Sequence, residues 1–279
     1  MEQLDDLRPD AFGELRAAGR VVEVSWHAGV PAQPVKRGRV CKWSPASRRR
    51  LLKVSGSVDW DGLRAEWGGD WLFVTLTYRD DPGPERSKRD LDVLARRWAR
   101  RWGSCRWLWK MEFQRRGVVH FHVLAWVPKA GVSALVGYRL WLWRAWREIA
   151  GNGLQLRVDA DYSRANDMVR YFVAYSSGGR KEYQHIVPHN WRMSSGRWWG
   201  KRGLPVSWST HRLSRGEYAA VRRLLVRYRR SRSPGRIRGP RSMSGCWVLG
   251  QRTGSLQHGV QRVLTESVRG SPLPYPGHS

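Results

Sequence analysis

WKMEFQRRGVVHFHVLAWV, residues 109 to 127, sets two apolar runs around a basic turn and reads as a β-hairpin. Alternate side chains of a strand share a face, so His120 and His122 point one way and Val119, Phe121 and Val123 point the other, into a core. If Arg115, Arg116 and Gly117 make a three-residue loop, Gln114 pairs with Val118, Glu112 with His120 and Lys110 with His122. Opposed residues have Cβ atoms about 4.5–5.5 Å apart, which puts Glu112 beside both imidazoles. A two-residue turn would shift the register and turn Glu112 away.

A pair of histidines in this pattern has three readings: surface residues, a general base with its orienter, or metal ligands. Glu112 favours the third, because two neutral imidazoles and one carboxylate hold a divalent ion and leave coordination positions open. Asp161 and Asp167 are reserve carboxylates. Mg²⁺ or Mn²⁺ fits this donor set. The same set could hold Fe(II) in an oxygenase, but the charge of the chain and the lack of a long succession of strands speak against that.

The charge is the second constraint. Lys and Arg number 51 against 23 Asp and Glu, for a formal net charge of +28 over 279 residues. A compact chain with that excess repels itself unless a polyanion neutralises it, so nucleic acid is the leading partner class. Arginine, the commoner cation here, suits bidentate phosphate contacts. The 18 tryptophans are many for this length; some belong to a core, and others could stack on bases. Three distant cysteines, Cys41, Cys105 and Cys246, form neither a zinc pattern nor a disulfide framework. The first residues have no signal-peptide character and no apolar run spans a membrane, so the expected location is cytoplasmic.

Outward from the hairpin, WLFVTLTY (71–78) reads as a strand. SKRDLDVLARRWARRW is a helix with Leu91, Leu94, Trp98 and Trp102 on one face. VSALVGYRLWLWRAWREIA is a second helix, LQLRVDA a short strand, and RANDMVRYFVAYSSGG a third helix ended by glycine. The order β-α-β-β-α-β predicts an α+β fold, with a central antiparallel sheet and helices packed on it. The predicted organisation is a basic N-terminal arm or subdomain over 1–65, a main domain over 66–212, a basic helix over 213–230 and a disordered basic tail over 231–279. Arg48, Arg49 and Arg50 in the first region and Arg115 and Arg116 at the hairpin tip are candidate DNA contacts.

Tyr171 and Tyr175 lie four apart on the third helix and so share a face. Aromatics at that spacing usually pack in a core. Beside a metal-held phosphate, however, a phenol is an in-line nucleophile, and a nearby cation favours its phenolate.

In that order, FVTLTY, GVVHFHVL and MVRYFVAYSSGGRKEYQH resemble the three motifs of rolling-circle replication initiators of the HUH endonuclease class. The resemblance runs over about residues 36 to 200, and includes RGRVCKWSPASRRRLL upstream and GRWWG downstream. It implies a ferredoxin-like nuclease core that nicks single-stranded or hairpin origin DNA through a 5′-phosphotyrosine and later rejoins the strand. It implies His120 and His122 as metal ligands, Tyr171 and Tyr175 as nucleophiles, and Thr75 and Thr77 as supports beside the site. Glu112 as third ligand comes from the hairpin register. Related helices carry a lysine near the second tyrosine. Here Ala174 precedes Tyr175, which leaves Lys110, Arg180 and Lys181 as candidate phosphate-stabilising cations. No GxxxxGK[ST] is present, so a host helicase and a host DNA polymerase are expected partners. The alternatives are a relaxase or transposase with the same nuclease core, or a nucleic-acid-binding protein that does no chemistry.

Overall fold

The computed structural model describes residues 11–28, 42–151, 158–162, 182–192, 195–231, 245–250 and 255–268. The chain divides into two compact units. The larger takes in the described residues of 36–55 and 60–205, the smaller those of 1–35, 56–59 and 206–279. The protein is α+β, with one antiparallel sheet in each unit.

The larger unit opens with helix α1 (Pro45–Ser57), which belongs to it as far as Ser55. Pro45 suits a first helical position, and the Ser44 hydroxyl accepts the Ser47 N–H at 3.1 Å. There follow α2 (Trp60–Trp67), β3 (Asp70–Thr77), α3 (Gly83–Trp102), β4 (Trp107–Phe113), β5 (Val119–Val127), α4 (Val132–Ala150), β6 (Val158–Tyr162) and β7 (Trp199–Arg202). The sheet order is β6-β3-β5-β4-β7, antiparallel throughout.

β5 is therefore central, flanked by β3 and β4. One face of the three strands carries Leu72, Val74 and Leu76, then Trp107, Trp109, Met111 and Phe113, then Val119, Phe121 and Val123. Leu91, Leu94, Ala95 and Trp98 of α3 and Tyr138, Leu142, Ala145 and Trp146 of α4 join the same core. The apolar face read from the α3 sequence is the face that packs. Trp102 is only partly buried, its ring 4.3 Å from both Trp98 and Trp141.

The hairpin turn decides the register. Gln114 N–H donates to Val118 O and Gly117 N–H to Gln114 O, each at 2.9 Å, which closes a three-residue loop. Gly117 has φ +80°, the left-handed conformation that this loop needs at its last position. Glu112 thus stands opposite His120 and Lys110 opposite His122, as the sequence suggests.

Residues 180–212 read as loop from sequence, yet they contribute β7 and part of the other sheet. β7 pairs with the edge of β4, and Gly200 lets it do so. A Cβ there would lie 2.8 Å from the Trp109 indole nitrogen.

The smaller unit holds β1 (Phe12–Ala18), β2 (Val21–His27), β8 (Ser209–Leu213) and β9 (Gly245–Leu249) in the order β8-β1-β2-β9. Helix α5 (Arg215–Ser231) starts on a capping box. Ser214 donates to Glu217 Oε2 through its N–H and its hydroxyl, both at 2.8 Å. Leu15, Val22, Val24, Tyr218, Val221, Leu225, Val248 and Val260 form its core. Within 231–279, read from sequence as a tail, β9 pairs with β2, and Ser255–Val268 is a helix, α6. Cys246, Val248 and Val260 are apolar residues too sparse to stand out among Arg, Ser and Gly, but they suffice to bury these segments. No helix among the described residues is long and apolar enough to cross a membrane.

Candidate metal centre

The face of the sheet opposite α3 and α4 carries Thr75 and Thr77 of β3, Lys110 and Glu112 of β4, and His120 and His122 of β5. Alternation alone suggests a half-buried strand with this face open. Instead Lys110 and Glu112 are 0 % exposed and His120 and His122 no more than 6 %.

Three donor atoms converge there. The two Nε2 atoms of His120 and His122 lie 3.0 Å apart. Glu112 Oε2 stands 3.3 Å from the His122 nitrogen and 3.6 Å from that of His120, and makes no hydrogen bond of normal geometry. Ligands about 2.1 Å from a divalent ion stand about 3 Å apart at octahedral angles, so the spacing suits one shared ion. A buried carboxylate oxygen with no hydrogen bond, aimed between two imidazole nitrogens, is the feature that such an ion satisfies. Among the described residues this is the one group of three metal-ligating side chains so placed.

The neighbours fix the donors. Thr75 Oγ1 is 3.0 Å from His122 Nδ1, so an Nδ1–H tautomer donates to the hydroxyl and leaves the Nε2 lone pair free for a ligand role. The Phe73 ring stacks on the same imidazole at 5.3 Å. Lys110 Nζ donates to Glu112 Oε1 at 2.5 Å. Burial by itself would raise the Glu112 carboxyl pKa. The two imidazoles and the Lys110 ammonium more than offset it and hold the group ionised well below the usual carboxylate range. Burial lowers the pKa of His122 despite the opposing pull of Glu112, so the ring is kept neutral, the form that binds metal. Burial also lowers that of Lys110, with Glu112 opposing.

Thr77 lies opposite His120 and is buried. Arg115 sits over the Tyr183 ring at 5.4 Å. Arg116 is taken up locally, donating to Gln114 Oε1 and to the carbonyls of Tyr78 and Arg79. Arg48 is half-buried, and Arg49 and Arg50 are exposed on α1. Tyr171, Tyr175, Arg180, Lys181 and Asp167 fall outside the described residues. The backbone of Asp161 lies opposite Phe73 in β6.

Two residues near the site carry no signal of their own in the sequence. The ring of Trp43 stacks on that of His185 at 5.4 Å and 12°, and both lie against Trp198. These residues are far apart in the chain, and only the fold brings them together.

The sequence profile of a replication-associated protein family, that of ORF2 and the gene II protein, matches residues 71–180, a span that contains the triad. A putative replication protein of Xylella fastidiosa strain 9a5c is 33 % identical over 234 residues, covering 75 % of this chain and 78 % of its own length. The chain belongs to this family of replication proteins. A second putative replication protein, from X. fastidiosa strain Temecula1, is 31 % identical over 75 % of the chain and 84 % of its own length. A replication-associated protein of Pseudomonas phage Pf3, its gene II protein, is 27 % identical over 60 % of each chain. No solved structure gives a significant match. Membership in this replication family and a buried Glu-His-His cluster able to chelate a divalent ion together make this a replication protein of the HUH nuclease type.

Proposed function

We propose that the protein initiates rolling-circle replication by nicking single-stranded or hairpin origin DNA through a tyrosine, and later rejoins the strand. The observation that carries this reading is the convergence of Glu112 Oε2 with the Nε2 atoms of His120 and His122 on the central strands. The strand order β6-β3-β5-β4 with helices α3 and α4 on one face supports a ferredoxin-like core within an endonuclease region over 66–212.

Glu112, His120 and His122 would hold Mg²⁺ or Mn²⁺, which when bound supplies Lewis-acid polarisation of a phosphate oxygen. Thr75 holds His122 in the tautomer that presents Nε2. Lys110 keeps Glu112 ionised and fixes its orientation. The buried walls around these groups exclude water, which favours transfer to a side chain over hydrolysis.

Tyr171 or Tyr175 provides the nucleophile. Its phenolic oxygen bonds to phosphorus, the P–O3′ bond breaks, the phenol proton is released and the departing 3′ oxygen takes up a proton. The products are a 5′-phosphotyrosine and a free 3′-hydroxyl. A host polymerase extends that hydroxyl behind a host helicase, in the cytoplasm. The second tyrosine cleaves the regenerated site, and the released 3′-hydroxyl attacks the first phosphotyrosine to close the circle.

The test uses labelled single-stranded oligonucleotides that tile the gene's own replicon, incubated with Mn²⁺, Mg²⁺ or EDTA. A denaturant-resistant protein–DNA adduct that needs metal and is lost in H120A is the expected result, and Y171F and Y175F identify the first nucleophile. Tight binding with no adduct on any oligonucleotide would demote the protein to a binding module.

A further inference from the structure

Beside the triad, three polar atoms are shut off from solvent and make no hydrogen bond: Trp43 Nε1, Arg48 Nε and His185 Nε2. Buried polar atoms are nearly always paired, so three orphans in one place call for a missing partner. They belong to one neighbourhood. The Trp43 and His185 rings stack at 5.4 Å, and Lys110 Nζ lies 5.4 Å from the Trp43 ring centre. Arg48 stands in the first turn of α1, its N–H bonded to Ser44 O, and its charge acts on both Lys110 and His185.

The chemistry of the partner follows from the donors. An indole nitrogen and a guanidinium nitrogen only donate, so the partner must accept. Arg48 has no ion pair among the described residues, and the carboxylate acting on this group, Glu112, is already matched by Lys110. The unmatched positive charge calls for an anion. Burial, with the Lys110 charge, lowers the His185 pKa to about 4, which keeps the ring neutral and able to donate through one nitrogen.

We propose that Trp43, Arg48 and His185 form an anion subsite that holds a phosphodiester of the DNA strand seated on the triad. This deepens the nicking reading and rests on it for the identity of the strand. The subsite grips a phosphate from one side while the triad faces the strand from the sheet. Its cation comes from α1, outside the tyrosine segment.

The test couples protein and substrate changes. Wild type, R48Q, W43F and H185F are titrated, in EDTA, with fluorescent single-stranded oligonucleotides of the replicon that carry one neutral methylphosphonate at successive positions. Adduct formation with Mn²⁺ is measured on the same set. At one position the methylphosphonate should weaken wild-type binding about 10–100-fold, the scale of a charge-assisted hydrogen bond. R48Q should lose the same factor on unmodified DNA and lose nothing more at that position. W43F and H185F, which keep an aromatic ring and lack the N–H, should each lose about 5-fold with the same positional signature. R48K, which keeps the charge, stands in if R48Q fails to fold by circular dichroism, and should lose less.

R48Q binding like wild type, or losing affinity by a factor independent of every methylphosphonate position, overturns the subsite. Positional coupling in EDTA with no adduct from wild type sinks the nicking reading and leaves the subsite standing. An adduct with no positional coupling does the reverse.

Discussion

On one face of the larger unit's sheet, Leu72, Val74, Met111, Phe121 and Val123 pack against α3 and α4. On the other, one residue along each strand, stand Thr75, Lys110, Glu112, His120 and His122. The two faces are about equally dry. The first is held by apolar burial that would tolerate many side chains of the right volume. The second is a polar network whose members satisfy one another only in part, leaving Glu112 Oε2 and His120 Nδ1 without hydrogen bonds. Such a network lowers stability unless a ligand completes it, and its retention inside a dry core is the mark of a site built for an ion.

The contrast can be broken by substitution. E112A should have the largest effect. It leaves the Lys110 ammonium buried without its carboxylate, at a cost of about 3–5 kcal/mol in denaturant unfolding. It should also abolish the rise in Tm that Mn²⁺ produces in wild type, which is about 2.7 kcal/mol of stabilisation at 100 times Kd. L94A, on the apolar side, should cost about 2–5 kcal/mol by opening a cavity and leave the Mn²⁺ response intact. If both variants lose the metal response, the two faces are not independent.

T75V keeps the shape and removes the hydroxyl that faces His122 Nδ1. It should weaken Mn²⁺ binding about 10–100-fold by calorimetry, with a stability loss near ~1 kcal/mol. An unchanged affinity would mean that His122 is held by its stacking on Phe73 alone.

The smallest effect is in the pH profile of the metal-free protein. His185 titrates at about 4 when folded, against about 6.5 for a free imidazole. Between those values the unfolded chain binds the extra proton, so stability falls as pH is lowered. The lowered pKa of His122 acts in the same direction, and Glu112 adds a loss below the ordinary carboxylate range. H185Q should flatten the slope between about pH 6.5 and 4 in chemical denaturation and leave the part due to His122 and Glu112.

Legibility varies along the chain with the strength of local pattern. The hairpin announces itself because its strands alternate and its turn has a glycine at the position that needs φ > 0. From those two features the pairing of Glu112 with His120 follows without knowledge of the rest. Helices α3 and α4 carry apolar residues at helical spacing and are equally plain. The strand pair at 12–27 is not, since FGELRAAGRVVEVSWH is short, mixed with charge, and meets its sheet partner β8 nearly two hundred residues later. β7 escapes the pattern because WGKR has little strand character and depends on Gly200 fitting against Trp109. The helix that holds Tyr171 and Tyr175 in the sequence reading lies outside the described residues.

By itself the sequence determined the metal-binding triad, because register in a tight hairpin is a local property set by turn length and a period of two. It also determined the polyanionic character of the partner, because net charge is a sum over residues and needs no coordinates. Only the tertiary structure decided that the histidine face is buried, since burial depends on what the rest of the chain lays over a strand. It alone brought Trp43 and Arg48 against His185, far along the chain, because side chains on separate elements meet by packing and no spacing in the sequence encodes that contact.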